Sequence, residues 1–92
     1  MIKGFRHKGL KKLFNKGDSS GVMQSHVKKL RHILVRLDAA KTIQDMNSPG
    51  SNLHQLTGDL DGQWSVKVNG NWRVFFEFED GDAYLVDYDD YH

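Results

Sequence analysis

The chain has no cysteine and a single proline, Pro49. Without cysteine there is no disulfide framework and no thiolate zinc centre, and a reducing cytoplasm is the expected compartment. Long apolar runs are missing too. Nothing approaches the roughly 18–20 residues that span a bilayer, and the opening Met1-Ile2-Lys3-Gly4-Phe5-Arg6 has no apolar stretch behind it. Neither a membrane span nor a signal peptide is expected. The five histidines, His7, His26, His32, His54 and His92, are scattered without metal-ligand spacing, so no metal and no cofactor is expected. Internal repeats and low-complexity segments are also absent.

Acidic residues are scarce in the first half. Residues 1–41 hold eleven Lys and Arg against two acids, Asp18 and Asp38. Residues 42–92 hold two basic residues, Lys67 and Arg73, against ten acids. The net charge of +1 is therefore a +9 half joined to a −8 half. The basic half fits a polyanionic partner, and equally two faces that attract each other on folding. At 92 residues the chain is read as one domain, residues 1–92, with a small core.

What is present is patterned. Ile2 and Phe5 sit in a short segment suited to an edge strand. Lys8 to Lys16 carries Leu10, Leu13 and Phe14 at helical spacing, with Gly17 as its stop. Asp18-Ser19-Ser20-Gly21 reads as a turn, with Ser20 a candidate cap for a second helix. That helix is marked by Met23, Val27, Leu30, Leu34 and Leu37, one apolar stripe, with Lys28, Lys29, Arg31, His32 and Arg36 off it. His7, His26 and His32 are expected on basic helical surfaces. After the loop Asn47–Asn52 the period changes to two: Trp64, Val66 and Val68, then Trp72, Val74, Phe76 and Phe78, then a third run from Ala83 to Tyr88.

The first hairpin has a testable register. A two-residue Asn69-Gly70 loop would set Val66 against Arg73. A three-residue loop, Asn69-Gly70-Asn71, pairs Val68 with Trp72, Val66 with Val74 and Trp64 with Phe76, with Gly70 or Asn71 left-handed. The opposite face then carries Lys67 beside Arg73 and Ser65 beside Phe75. In the last strand Tyr84, Val86 and Tyr88 form the expected core set. The expected fold class is α+β: an N-terminal strand and two helices packed on a mostly antiparallel sheet, with a three-stranded meander at the C-terminal end.

Several stretches together resemble the RelE superfamily of toxins, in particular its HigB-type branch. They are Leu56-Thr57-Gly58-Asp59-Leu60-Asp61-Gly62-Gln63-Trp64-Ser65-Val66, Trp72-Arg73-Val74, Gly81-Asp82-Ala83-Tyr84 and the ending Asp90-Tyr91-His92. The helix ending Leu37-Asp38-Ala39-Ala40 fits the same branch. The resemblance spans most of the chain. It implies a RelE-like fold and a ribosome-dependent mRNA endonuclease that works without metal, the RNA 2′-hydroxyl attacking the adjacent phosphate. Such chemistry needs a base, an acid and cations for the charge on the phosphorus oxygens.

The positions matching His54, Arg73, Asp90, Tyr91 and His92 form the site in that branch. His54 and His92 are the acid–base candidates, Arg73 the phosphate cation, and Tyr91 a phosphate donor or stacking ring. Asp90 can orient a histidine or contact RNA. Thr57 stands where HigB-type toxins usually carry a lysine, a charge that Lys67 can replace in part. Lys8, Lys11 and Lys12 are candidate contacts to RNA phosphates. The resemblance also implies a HigA-type helix-turn-helix antitoxin as partner, through which alone operator DNA would be met. A ParE-like toxin aimed at gyrase, or a plain RNA-binding module, are the alternatives. The His54 and His92 pair speaks against the first, and the lack of an RNP-type motif against the second. Taken singly, His54 is a surface histidine and Arg73 a partner for a carboxylate. Their joint occurrence at the expected positions favours the site.

Overall fold

The computed structural model describes residues 1–56 and 62–90. Helix α1 spans Lys8–Lys16. The His7 ring caps its start, Nδ1 accepting the Leu10 N–H at 3.2 Å. Gly17, at φ 70°, ends it with its N–H on the Leu13 carbonyl. Leu10 and Leu13 are the buried side of its apolar stripe, and Lys8, Lys11 and Lys12 are exposed. Where α1 passes the following loop, Gly9 meets Gly21 so closely that a Cβ on Gly9 would lie 2.4 Å from the Gly21 carbonyl oxygen.

Helix α2 is Val27–Ala39, entered through a 3-10 turn at Gln24–His26. Leu30, Ile33, Leu34 and Leu37 are its buried residues. Two expectations are corrected here. Met23 precedes the helical turns and is 45% exposed, so it is outside the core stripe. Ser20 is not the cap: the helical turns begin at Gln24 with Met23 at the N-cap position, and Ser20 lies in a preceding turn where its N–H donates to the Asp18 carboxylate. A second 3-10 turn, Ile43–Met46, buries Met46 beneath α2.

The described residues form a four-stranded antiparallel sheet in chain order: β1 (His54–Gln55), β2 (Gln63–Asn69), β3 (Trp72–Glu79) and β4 (Asp82–Asp90). The meander is thus extended by β1, which pairs His54 with Ser65 and Gln55 with Trp64. The opening segment makes only isolated parallel bridges to β4, at Ile2–Ala83 and Phe5–Val86, and is not a full strand. Val66, Val68, Val74, Phe76, Ala83, Val86 and Tyr88 face the helices in one core, with Trp64 and Trp72 half-buried at its margin.

The body of the β2–β3 register is the expected one: Trp64–Phe76, Ser65–Phe75, Val66–Val74 and Lys67–Arg73. The turn is not. Asn69, rather than Val68, pairs with Trp72, and the bulge falls at Val68. Gly70, at φ 57°, permits the tight loop, and the bulged residue restores the parity that keeps Val66 and Trp64 on the apolar side. A second bulge alters β4. Phe75 pairs with Asp87 but Glu77 with Tyr84, so Leu85 and Val86 together oppose Phe76. The extra residue moves the core set one place: Ala83 is buried and Tyr84 is 36% exposed, contrary to the simple alternation.

Two histidines assigned to basic surfaces pack instead against Tyr88, His26 buried and His7 half-buried. His26 is 3% exposed, its Nδ1 sharing a short hydrogen bond with the Tyr88 hydroxyl. Trp72 stacks on Tyr88 at 4.7 Å, and the His7 ring meets Tyr88 edge-on at 5.3 Å. Burial raises the Tyr88 hydroxyl above its ordinary pKa, against a smaller lowering by the Met23 backbone hydrogen bond. His32 is exposed on α2, as expected.

Candidate active site

Because α1 and α2 cover one face of the sheet, every second residue of β2 and β3 points to the other. Ser65, Lys67, Arg73, Phe75 and Glu77 therefore share an uncovered face. Arg73 is fixed there rather than left to sweep. Its Nε donates to Ser65 Oγ at 2.8 Å, and its terminal nitrogen donates to the Asn52 carbonyl at 2.6 Å and the Ser65 carbonyl at 3.4 Å. Ser65 is 1% exposed, so its hydroxyl is an immobile acceptor. Asn52 sits at φ 47°, a left-handed conformation that asparagine tolerates better than most residues.

These contacts hold the guanidinium in a cleft of about 420 Å³ that is also lined by Leu53, His54 and Leu56. His54 is exposed, and its strand position adjoins Ser65, which in turn holds Arg73. An imidazole and a guanidinium thus border one space, beside an apolar wall. A phosphodiester placed there would meet both a proton carrier and a charge.

Of the other candidate residues, Lys67 is the register partner of Arg73 on the same face. Lys67 also borders a crevice with Lys29, His32 and Arg36 of α2, so positive charge continues from the cleft around the edge of β2. Asp90 pairs with Trp72 and follows the parity of Tyr88, toward the helical side. Asp89 is the residue paired with Arg73. Lys8, Lys11 and Lys12 project from α1, on the opposite side of the sheet from Arg73. Thr57, Tyr91 and His92 lie outside the described residues. Ser65 and Asn52, which position Arg73, were not singled out from the sequence for that role. The available signal was Ser65 itself, a small polar residue in an apolar strand, two residues from Lys67, the register partner of Arg73.

Among the described residues no group of three or more His, Asp and Glu is arranged to hold a metal ion, and no helix is long and apolar enough to cross a membrane.

The family described as "RelE-like toxin of type II toxin-antitoxin system HigB" matches residues 3–92. "Endoribonuclease HigB" of Proteus vulgaris is 48% identical over 92 residues, covering 100% of both chains. "Toxin HigB-1" of Vibrio cholerae serotype O1 is 40% identical over 48 residues, 51% of this chain and 50% of the relative.

Proposed function

The chain belongs to the RelE-like HigB toxins of type II toxin–antitoxin systems, and from that membership we propose that it is an endoribonuclease that cuts messenger RNA on the ribosome and so inhibits translation. The observation that carries the reading is the clamped Arg73 in the same cleft as His54. The chemistry follows from what these groups supply. A histidine takes the proton of the RNA 2′-hydroxyl, whose oxygen attacks the adjacent phosphorus. The bond to the 5′-oxygen breaks, and that oxygen receives a proton from an acid. The products are a 2′,3′-cyclic phosphate and a 5′-hydroxyl, and no metal is needed.

Arg73 stabilises the extra negative charge on the phosphorus oxygens, and its fixed position saves reorganisation at the moment of reaction. His54 and His92 share the acid and base roles, Tyr91 assists at the phosphate, Thr57 and Lys67 contact RNA, and Asp90, at the strand end on the helical side, contacts RNA outside the Arg73 cleft. Thr57 brings no cation where relatives of this type usually have one, and Lys67, the register neighbour of Arg73, supplies part of it.

Such a site binds its substrate through few groups. The ribosome would provide the missing alignment, which is worth up to several kcal/mol of barrier. Purified protein should therefore cut mRNA on translating ribosomes and leave the same naked mRNA almost intact, with no loss in chelator. Equal cleavage of naked and ribosome-bound message would contradict ribosome dependence. A HigA-type helix-turn-helix antitoxin completes the reading as partner, with operator DNA reached only through it and the cytoplasm as the site of action.

A further inference from the structure

At one corner of the sheet lies a buried polar pair that takes no part in the chemistry above. His26 and Tyr88 are 3% and 4% exposed, and His26 Nδ1 and the Tyr88 hydroxyl share a hydrogen bond. We propose that both are positioning residues for RNA cleavage: their bond fixes the end of β4 beside the strand of Arg73, and with it the point from which the Asp90-Tyr91-His92 ending departs. This role rests on the endonuclease reading and adds to it a support outside the cleft.

β4 meets β3 along its length, the last pairs being Arg73–Asp89 and Trp72–Asp90. On its other edge, the opening segment bonds to β4 no further along than Val86. Among the described residues, the backbone of β4 past Val86 thus has a strand neighbour on one side only. Tyr88 lies in that stretch, turns inward and is tied to a helix instead. Its hydroxyl shares a further hydrogen bond with the Met23 backbone, so both partners come from the turn that leads into α2. Trp72, which directly precedes Arg73, stacks on the Tyr88 ring at 4.7 Å. The His7 ring, the cap of α1, meets it edge-on at 5.3 Å. One tyrosine therefore gathers the starts of α1, α2 and β3 onto the end of β4.

Stability alone does not require a polar pair here. A typical hydrogen bond contributes a net of about 1 kcal/mol, and an apolar pair of the same shape can do as well. What the bond adds is direction, because it tolerates little change in distance or angle. The strand has need of it. The bulge at Leu85 and Val86 interrupts the β3–β4 ladder, so the run from Asp87 to Asp90 is short and is aligned separately from the rest of β4.

This run is next to the chemistry. Asp89 is the register partner of Arg73, and Tyr88 adjoins Asp89. His92, an acid or base of the proposed reaction, follows Tyr88 by four residues. Catalytic groups must be held to within about 0.5 Å of their productive geometry, which takes supporting bonds beneath them. Ser65 and Asn52 give Arg73 that support, and the His26–Tyr88 bond gives it on the β4 side.

The test compares Tyr88→Phe, His26→Leu and the double variant on mRNA bound to translating ribosomes, with the protein in excess. The maximal single-turnover rate, the half-saturating concentration and the thermal midpoint are read for each. Both single variants should lose about 10-fold or more in maximal rate, since a displacement of about 1 Å can cost on the order of 10²-fold. The half-saturating concentration should move little, because the lost contact is not one to the ribosome. Each single change leaves a buried polar group unpaired and lowers the midpoint. The double variant removes both groups, so its midpoint should return toward that of the parent while its rate stays low. Ile33→Val, a core change on α2 outside the cluster, should lower the midpoint and keep the parental rate. Tyr88→Phe at the parental rate, a double variant whose rate recovers with its midpoint, or an equal loss of rate in Ile33→Val overturns the positioning role and leaves the endonuclease reading standing. A parent that cuts no message on translating ribosomes overturns that reading and the role with it.

Discussion

Arg73 illustrates how much of this site is set by single side chains that do no chemistry. Its guanidinium is aimed by a buried serine hydroxyl and by the carbonyl of a left-handed asparagine. Removing the cation with Arg73→Ala should lower cleavage of ribosome-bound mRNA by about 10²–10³-fold, the scale seen when a preorganised charge-stabilising donor is lost. Ser65→Ala keeps the cation but frees it, so a smaller fall is expected, with more of the loss in kcat than in KM. His92→Gln should cost a proton-transfer contribution, roughly 10²–10⁴-fold. Single-turnover cleavage of one message measures all three, and full activity of Arg73→Ala would remove the residue from the mechanism. At this scale the sequence exposed Arg73 and His54 as candidates through the family resemblance, and Lys67 through the hairpin register. It did not expose the outward turn of Tyr84, because that depends on a bulge at Leu85 that no composition signal marks.

Among the elements, α2 and the β2–β3 hairpin are the ones whose patterns were strongest. Leu30, Leu34 and Leu37 recur at helical spacing and are all buried, and the Val66–Val74 register follows from matching apolar with apolar. Leu34 is 1% exposed, so Leu34→Ala should cost about 2–5 kcal/mol and lower the thermal midpoint markedly. An unchanged midpoint would contradict the helix–sheet packing. β1 was invisible in the sequence because two residues cannot show an alternation. The core histidine was invisible for another reason. His26 stands among lysines and a serine, and only the return of β4 brings Tyr88 to its ring. Local periodicity reports which face is apolar, but a polar pair buried between distant segments leaves no local trace.

For the molecule as a whole, the charge asymmetry of the halves becomes a division between faces. Helix α1 presents Lys8, Lys11 and Lys12 to solvent, and α2 continues that surface toward Lys67. The acids of β3 and β4 lie largely on the uncovered sheet face, where Glu77, Asp87 and Asp89 line one cavity. If the lysines hold ribosomal RNA through its phosphates, association should weaken steeply with added salt, because each neutralised phosphate releases counterions. Reversing Lys8, Lys11 and Lys12 to Glu should flatten that dependence and reduce co-sedimentation with ribosomes while leaving the fold intact. Unchanged sedimentation would assign those lysines to another surface role, such as meeting the antitoxin.

The central claim is that the RNA supplies its own nucleophile and the protein supplies charge and protons. Mapping the ends of the fragments released from ribosome-bound mRNA tests this most directly. The account predicts a 2′,3′-cyclic phosphate on the upstream fragment and a 5′-hydroxyl on the downstream one, in equal yield with and without chelator. Fragments with a 5′-phosphate and a free 3′-hydroxyl, or cleavage that disappears in chelator, would contradict it.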